Sequence, residues 1–341
     1  MLNFLWFEKN NKIKFMNIKN LVYCAYFDKG FLLKGLALHS SLLKYNPDAK
    51  LWILAFDKYT EDILRKMKLK GVTVVPLAEF EDKELLAVKG SRNPVEYYWT
   101  CTPSLPLYIF KRKPDTKYVV YLDGDLYFYL DAMVGVEEIA DKSILAVEHR
   151  FPKGMESMSK VSGRFNVGFN VFKNDKVGIK CLKRWRAQCL DWCYWRPKDG
   201  KLGDQTYLDE WPKLYGKNLV ISENIGVDTA PWNVSQYKVS KKGNDVYINN
   251  TKLVCYHFHQ FQILGPDHFS RVLGYTLSRE VVKLIYEPYE AELRRQYTKV
   301  KSFDKSFEIK KAEQNINQVF RAKLSKLIGP VYWRIKGWLG N

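Results

Sequence analysis

The sequence has few cysteines, and none of the six forms a Cys-x-x-Cys pair of the kind found in zinc sites and thiol redox centres. Cys24 and Cys255 lie in apolar, strand-like runs, where a thiol behaves as a small buried hydrophobe. Cys189 and Cys193 share one helical face, but no further metal ligands lie near them in the sequence. We therefore expect reduced, structural cysteines and a cytoplasmic protein.

Long hydrophobic runs, internal repeats and low-complexity segments are also missing. The apolar start of residues 1–15 is much shorter than the ~20 residues that span a bilayer, and no secretory signal is evident. The strand pattern begins only after Met16, which is itself a candidate start. With 341 residues, 46% hydrophobic and 15% aromatic, the chain is expected to fold around a large core, which excludes a disordered protein.

Acidic residues are scarce relative to basic ones, with 37 Asp and Glu against 55 Lys and Arg and a net charge of +18. This excess favours anionic partners such as nucleic acid, a membrane surface or phosphorylated small molecules. It is densest in residues 299–341, which hold ten Lys or Arg and three acidic residues. No RNA-binding signature appears, so a basic nucleic-acid-binding protein is kept only as an alternative.

Apolar periodicity predicts an α/β fold. Strands are expected at 20–27, 50–56 and 71–77, with helices at 31–45 and 60–69 between them and Thr60 as an N-cap. Further elements are a helix starting near Pro103, strands at 118–122, 143–149 and 164–172, a helix at 177–195 and a hairpin-like segment at 245–259. This alternation is typical of a doubly wound sheet whose early strands are parallel.

The stretch YVVYLDGDLYFY, residues 118–129, presents two carboxylates at the end of an apolar strand. Asp123 and Asp125 are two residues apart, which puts them on the same side of an extended chain, and unpaired burial would cost several kcal/mol each. A divalent cation held by hard oxygen ligands, Mg²⁺ or Mn²⁺, removes this cost. The alternatives are a solvated Asp-Gly turn, or the metal site of a nucleotidyltransferase or phosphohydrolase.

Four stretches in a fixed order resemble the GT-A nucleotide-sugar glycosyltransferases. They are YVVYLDGDLYFY, GRFNVGFNVFKN, LGDQTYLDEWP and CYHFHQF. The similarity covers roughly residues 20–265 and is strongest to glycosyltransferase family eight, the group of glycogenin and the lipooligosaccharide galactosyltransferases. It implies a Rossmann-like mixed sheet flanked by helices and a GT-A catalytic domain at 18–270. The sequence pattern itself predicts a helical, basic C-terminal extension at 271–341.

By this resemblance, Asp123 and Asp125 hold Mn²⁺ (or Mg²⁺) together with a late histidine, His257 or His259. Both histidines would point the same way in a strand, and His257 is favoured because it directly follows an apolar run. Gly124 stands where the family usually has Ser or Ala. The family's Lys-Pro-Trp segment is replaced by QILGPDHF, so no phosphate-binding lysine is assigned.

The resemblance also assigns the substrate side. The expected catalytic residues are Asp204, Gln205 and Asn166; the donor-binding residues are Tyr26, Phe27, Asp57, Arg92, Gly124 and Gly168 beside the two metal aspartates; the acceptor-side residues are Trp232 and Asn233. Each has a structural alternative: Asp204 can cap a helix, Gly168 can mark a strand bulge, and Trp232 can belong to the core.

The implied activity is transfer of a sugar from a nucleotide sugar, with UDP the expected nucleotide, to a glycan or lipid-linked acceptor with retention of configuration. Cell-surface polysaccharide or lipopolysaccharide synthesis is the expected process. From residue 316 the chain has no acids, and Phe320, Leu324 and Trp333 recur among its basic residues. This predicts a peripheral association with the inner face of the cytoplasmic membrane, the alternative being a helix packed on the catalytic domain.

Overall fold

Strands and helices alternate through the first half of the chain in the computed structural model, which describes residues 20–155 and 157–309. The strands are β1 (Leu21–Phe27), β2 (Leu51–Ala55), β3 (Val72–Pro76), β4 (Tyr118–Leu122), β5 (Leu126–Phe128), β6 (Ile144–Glu148), β7 (Phe165–Lys173), β8 (Leu219–Ile221), β9 (Val239–Lys242), β10 (Asp245–Ile248), β11 (Thr251–Lys252), β12 (Cys255–His257), β13 (Gln262–Ile263) and β14 (Phe269–Ser270). The helices are α1 (Leu32–Tyr45), α2 (Lys58–Met67), α3 (Leu77–Phe80), α4 (Lys83–Lys89), α5 (Pro94–Cys101), α6 (Ser104–Arg112), α7 (Met133–Val136), α8 (Ser157–Ser162), α9 (Lys176–Asp191), α10 (Trp211–Tyr215), α11 (Arg279–Val281) and α12 (Glu287–Phe303).

Seven strands form the central sheet, in the order β3-β2-β1-β4-β7-β6-β8. The pairs β1–β2, β2–β3 and β1–β4 are parallel, whereas β7 runs antiparallel to both of its neighbours. The predicted mixed α/β sheet flanked by helices is confirmed. Because the parallel strands end at one edge, the loops that follow β1 and β4 meet there, which is where α/β sheets bind ligands.

The sheet separates two hydrophobic clusters, and β1 contributes to both. Val22 and Cys24 face the cluster formed with α5, α6 and α9, whereas Tyr23, Ala25 and Phe27 face the cluster formed with α1 and α12. This is the period-two alternation of a strand buried on both sides. All six cysteines are buried with free thiols, as predicted.

Two helix starts differ from the predictions. Helix α2 begins at Lys58, and its N-cap is Asp57 instead of Thr60, because the Asp57 carboxylate accepts a hydrogen bond from the Thr60 backbone N–H at 2.7 Å. Ahead of the helix predicted near Pro103 there is a separate helix, α5. Its capping box, formed by Asn93 and Glu96 around Pro94, is a signal that the sequence does contain.

The helix predicted at 177–195 ends earlier, at Asp191, because Trp192 adopts an extended backbone. Within the hairpin-like segment at 245–259, β10 pairs with β11, and the chain then leaves this small sheet. Its next strand, β12, pairs antiparallel with β5, so that His257 lies opposite Leu126. This change of partner carries the end of the segment to the loop after β4.

The described part of the C-terminal extension packs on the same hydrophobic core as the central sheet. Tyr289, Leu293 and Val300 of α12 are buried in the cluster that also contains α1. The division at residue 270 stays a prediction, and the basic segment from residue 316 lies outside the described residues. Among the helices of the described ranges, none has the length and apolar character to cross a membrane.

Gly35 provides a test of the packing of α1 against the sheet. A Cβ added at this helical position would lie 2.2 Å from the Phe27 ring. We expect Gly35→Ala to lower the free energy of unfolding by about 1–3 kcal/mol, since overpacking outweighs the gain in helix propensity. Chemical denaturation measures this change. The matched control is Gly90→Ala, where an added Cβ meets nothing within 4 Å; equal stability of the two variants would contradict the packing described.

Candidate active site

The loop between β4 and β5 carries two aspartates whose backbone is tied to two other strands. The Asp123 N–H donates to the Gly168 carbonyl of β7 at 3.0 Å, and the Phe258 N–H, just after β12, donates to the Asp125 carbonyl at 3.0 Å. Between them, a Cβ on Gly124 would lie 3.3 Å from the Tyr26 carbonyl oxygen, so the space allows little more than a small residue. The loop is therefore held rigidly at the edge of the sheet.

His257 completes a cluster with these two aspartates. Its Nε2 lies 3.2 Å from Asp125 Oδ1 and 3.6 Å from Asp123 Oδ2, and one ligand atom of each residue lies within 4.8 Å of the others. Two carboxylate oxygens and an imidazole nitrogen form a donor set that suits Mg²⁺ or Mn²⁺. The residues present thus fit a divalent metal, and the pairing of β12 with β5 is what brings them together.

Asp228 orients the histidine, and sequence reasoning missed it. Its fully buried Oδ1 lies 3.1 Å from His257 Nδ1, so this nitrogen carries the proton and Nε2 is turned to the aspartates. Carboxylate–histidine–metal arrangements of this kind fix the ring and raise its basicity as a ligand. The only local signal is an acidic residue two positions before the segment Ala-Pro-Trp-Asn, which no spacing rule connects with His257.

The charges of the cluster depend on one another. Burial raises the pKa of Asp123 to about 6, with the Asp125 carboxylate adding to the shift and His257 opposing it. Burial would also raise the pKa of Asp125, but the imidazolium of His257 and then Lys34 hold it well below its usual range. The pKa of His257 is well above its ordinary value, because Asp125 and Asp228 outweigh the effect of burial. Without a metal, His257 carries the compensating charge.

Lys34 of α1 is the second residue that the sequence did not single out. Its ammonium is buried, lies 3.7 Å from Asp125 Oδ2 and sits 4.1 Å from the centre of the Phe31 ring. Burial lowers the pKa of Lys34, and Asp125 opposes the shift. Lys34 therefore adds a cationic group at Asp125 Oδ2, whereas His257 pairs with Asp125 Oδ1.

Of the two candidate histidines, the favoured one, His257, lies with the aspartates, and His259 lies outside this cluster. Strand β12 ends at His257, so the two residues do not share one face of a strand. The His259 ring lies 6.2 Å from the His257 ring and packs edge-on against Trp232 at 5.3 Å. Burial and the charge of His257 lower the pKa of His259 to about 4.

Asn166 and Gly168 of β7 lie beside the histidine. Asn166 Oδ1 accepts a hydrogen bond from the Gly168 N–H at 2.7 Å, and its Nδ2 lies 3.4 Å from His149 Nε2. A Cβ on Gly168 would lie 2.7 Å from His257 Nδ1. The glycine thus makes room for the His257 ring, and the Asn166 amide is held with one of its groups already bonded to the backbone.

Asp204 shares the site with Asp123. It is buried, and burial raises its pKa to about 7, with a hydrogen bond from Thr102 opposing the shift and the charge of Asp123 adding to it. Its neighbour Gln205 donates from Nε2 to the Ser162 carbonyl at 2.6 Å. Asp204 is therefore a buried carboxyl with a raised pKa that interacts with the charge of Asp123, a combination often found in active sites.

The two aromatic residues predicted at the end of β1 point in opposite directions. Phe27 is buried in the core against α1, whereas Tyr26 packs against Phe56 at 5.2 Å and Tyr121 at 5.7 Å. The Tyr121 hydroxyl in turn donates to Asp123 Oδ1 at 2.8 Å. Tyr26 thus belongs to an aromatic wall beside the aspartates, and Phe27 contributes to the core.

Asp57 and Arg92 are engaged elsewhere in the structure. Both Asp57 oxygens accept hydrogen bonds at the start of α2, and one also accepts from the Lys29 N–H at 2.6 Å. The Arg92 guanidinium stacks over Tyr194 at 3.9 Å and donates to the Leu190 carbonyl at 3.2 Å. Each side chain therefore has protein partners that account for its position.

Trp232 and Asn233 are both buried. The Trp232 ring packs edge-on against His257 at 5.1 Å and His149 at 5.3 Å. Asn233 accepts from the Ala230 N–H at 2.9 Å and donates to the His149 carbonyl at 3.0 Å. Trp232 thus packs against the histidines, and Asn233 bonds to the His149 backbone. Trp232 has little exposed surface left for a sugar.

Comparison with known proteins identifies relatives over most of the chain. Two uncharacterised proteins of Bacillus subtilis strain 168 are similar to it: YfnF is 32% identical over 292 residues, covering 84% of this chain and 95% of YfnF. YfnD is 31% identical over 274 residues, covering 80% of this chain and 88% of YfnD. The chain belongs to the YfnF and YfnD family. No family model matches it.

The fold of this chain is also similar to that of a solved structure. The galactosyltransferase LgtC, solved in complex with donor and acceptor sugar analogues, superposes with a TM-score of 0.50 over 87% of this chain and 99% of LgtC, at 14% sequence identity. The likeness confirms the predicted GT-A fold. The roles predicted for individual residues remain predictions.

Asp228→Asn tests the orientation of His257. The amide keeps the shape but removes the charge that holds Nδ1–H, so we expect affinity for Mn²⁺ to fall about 10–100-fold, as for other carboxylates behind metal-bound histidines. Titration calorimetry measures the affinity. Asp175→Asn, at the N-cap of α9, is the matched control because Asn caps helices equally well. Equal affinity in the two variants would argue against this role of Asp228.

Proposed function

We propose that the protein is a metal-dependent glycosyltransferase that moves a sugar from a nucleotide sugar to a glycan or lipid-linked acceptor. The observation that carries the proposal is the meeting of Asp123, Asp125 and His257, with Asp204 beside them, at the ligand-binding edge of a GT-A sheet. The motifs that predicted the fold are the ones that supply these four side chains. UDP is the proposed nucleotide, by resemblance to family eight.

The charges of the site fit this chemistry. Breaking the bond between a sugar and a diphosphate builds negative charge on the leaving phosphate and positive charge on the sugar. A divalent metal, when bound, neutralises the leaving group. Asp123, Asp125 and His257 would hold it, and Asp228 and Tyr121 fix His257 and Asp123 in position.

Asp204, Gln205 and Asn166 are proposed to act on the sugar. The Asp204 carboxyl interacts with the charge of Asp123 and, in its ionised form, can stabilise the positive charge that develops on the donor sugar. The amides of Gln205 and Asn166 can bind sugar and acceptor hydroxyls. By resemblance to family eight, we propose that the anomeric configuration is retained.

A panel of nucleotide sugars tests the proposed activity. Purified protein with Mn²⁺ should release nucleoside diphosphate from at least one of them, and chelation of the metal should abolish the release. Asp123→Asn should lower the rate at least ~100-fold, because one metal ligand loses its charge. Asp245→Asn is the control, since Asp245 pairs with Lys252 in the small β9–β11 sheet. Undiminished turnover by Asp123→Asn without metal would contradict the proposal.

We also propose that the protein acts at the inner face of the cytoplasmic membrane, on an acceptor for cell-surface polysaccharide or lipopolysaccharide. The support is the sequence of the basic segment from residue 316, where aromatic and aliphatic residues recur among Lys and Arg with no acids. Such a composition favours an anionic bilayer surface, with each cation near the surface adding about 1 kcal/mol.

Deletion of residues 316–341 tests the membrane proposal. The full chain should co-sediment with vesicles that contain anionic lipid, and the truncated chain should lose most of this binding, because it loses a basic, aromatic segment. Vesicles of neutral lipid alone are the control for charge. Equal binding of the two chains to anionic vesicles would show that the segment is not the anchor.

A further inference from the structure

Trp195 is an exposed tryptophan in the loop that leads to Asp204. It is 65% exposed, more than any other large hydrophobic side chain in the described residues. One face of its indole stacks on Trp99 of α5, with ring centres 5.1 Å apart and planes 18° from parallel. In the described part of the chain, Trp99 is the ring that stacks on Trp195, and most of the Trp195 surface remains exposed.

The position of Trp195 is fixed by its loop. The backbone N–H of Trp195 donates to Glu96 Oε1 at 2.9 Å. Glu96 is itself buried and belongs to the capping box of α5. The Gly203 N–H donates to the Tyr194 carbonyl at 2.9 Å, which closes the loop on itself. Because this loop is already ordered, binding a ligand to the exposed indole would have a low cost in conformational entropy.

The stacked pair borders the segment that carries Asp204. A Cβ on Gly203 would lie 3.1 Å from Trp99 Cε3, and the left-handed backbone of Gly203, with φ of +56°, turns the chain directly into Asp204. The Trp99 ring therefore contacts the residue that directly precedes Asp204. Trp232 is only 4% exposed, so it offers no comparable surface.

We propose that the Trp99–Trp195 pair is the platform on which a pyranose ring of the acceptor stacks. One face of a pyranose is lined by C–H groups and packs on an aromatic ring, while its hydroxyls point outward to polar partners and water. The exposed indole of Trp195 provides this surface, and Trp99 connects it to the segment of Gly203, Asp204 and Gln205. This inference rests on the proposed glycosyltransferase function and names the place of the acceptor.

Titration with simple glycosides tests the platform directly. The probes are the methyl β-glycosides of glucose, galactose and N-acetylglucosamine, each raised to about 50 mM, enough to populate a site of millimolar affinity. With ¹⁵N-labelled tryptophan and Mg²⁺, the indole N–H peak of Trp195, assigned from its loss in Trp195→Phe, should shift saturably with at least one glycoside. Sorbitol, which has no ring, should not shift it. No saturable shift with any glycoside overturns the proposal.

Ligand-observed saturation transfer supplies the second readout. Trp195→Ala should lower the signal of the bound glycoside about tenfold, because a stacked aromatic contact is lost. Leu86→Ala, which truncates another exposed apolar side chain, is the matched control and should bind as the parent does. An unchanged signal in Trp195→Ala places the sugar elsewhere and overturns the platform.

The two proposals fail separately. If no nucleotide sugar is turned over but glycosides shift the Trp195 peak, the transferase proposal fails and the sugar platform stands. If turnover is found and the glycosides leave Trp195 unaffected, the platform is wrong and the transferase proposal stands.

Discussion

The active-site edge of this protein depends on one buried imidazole. His257 lies 3.2 Å from Asp125, 3.6 Å from Asp123 and 3.1 Å from Asp228, so three carboxylates share its charge when no metal is bound, and Lys34 assists only at Asp125. Buried carboxylates without such a partner would be neutralised or would destabilise the fold. The surrounding structure can be understood from this requirement. β12 must pair with β5 to deliver the ring, and Gly168 must lack a side chain because a Cβ would lie 2.7 Å from His257 Nδ1.

Short-range patterns in the sequence were sufficient for the fold, since the alternation of apolar strands and amphipathic helices predicted the sheet. The grouping of Asp123 and Asp125 with a late histidine came from the resemblance to family eight, because the histidine lies more than a hundred residues after the aspartates. Asp228 and Lys34 were not predictable in the same way. One contacts a strand 29 residues later and the other a loop about ninety residues later, and only the tertiary structure makes these contacts.

The residues assigned by position alone illustrate the same limit. Asp57 and Asn233 have the side chains expected at a substrate site. Asp57, however, caps α2, and Asn233 donates a hydrogen bond to the His149 carbonyl. Tryptophan is a sharper case. Trp232 and Trp195 are the same residue type in loops near the site, but one packs behind the histidines and the other is exposed. Burial decides which of them can meet a ligand, and no sequence pattern encodes it here.

The site is acidic, although the chain as a whole is strongly basic. A charge of +18 suggests a surface that attracts anions, but the site itself gathers Asp123, Asp125, Asp204 and Asp228. A diphosphate would be repelled by these carboxylates if no cation lay between them. A divalent ion supplies two positive charges at that position, more than the single ammonium of Lys34 can offer. For the proposed nucleotide-sugar donor, the acidic cluster would make affinity conditional on a metal, whereas the basic excess elsewhere can attract other anions without one.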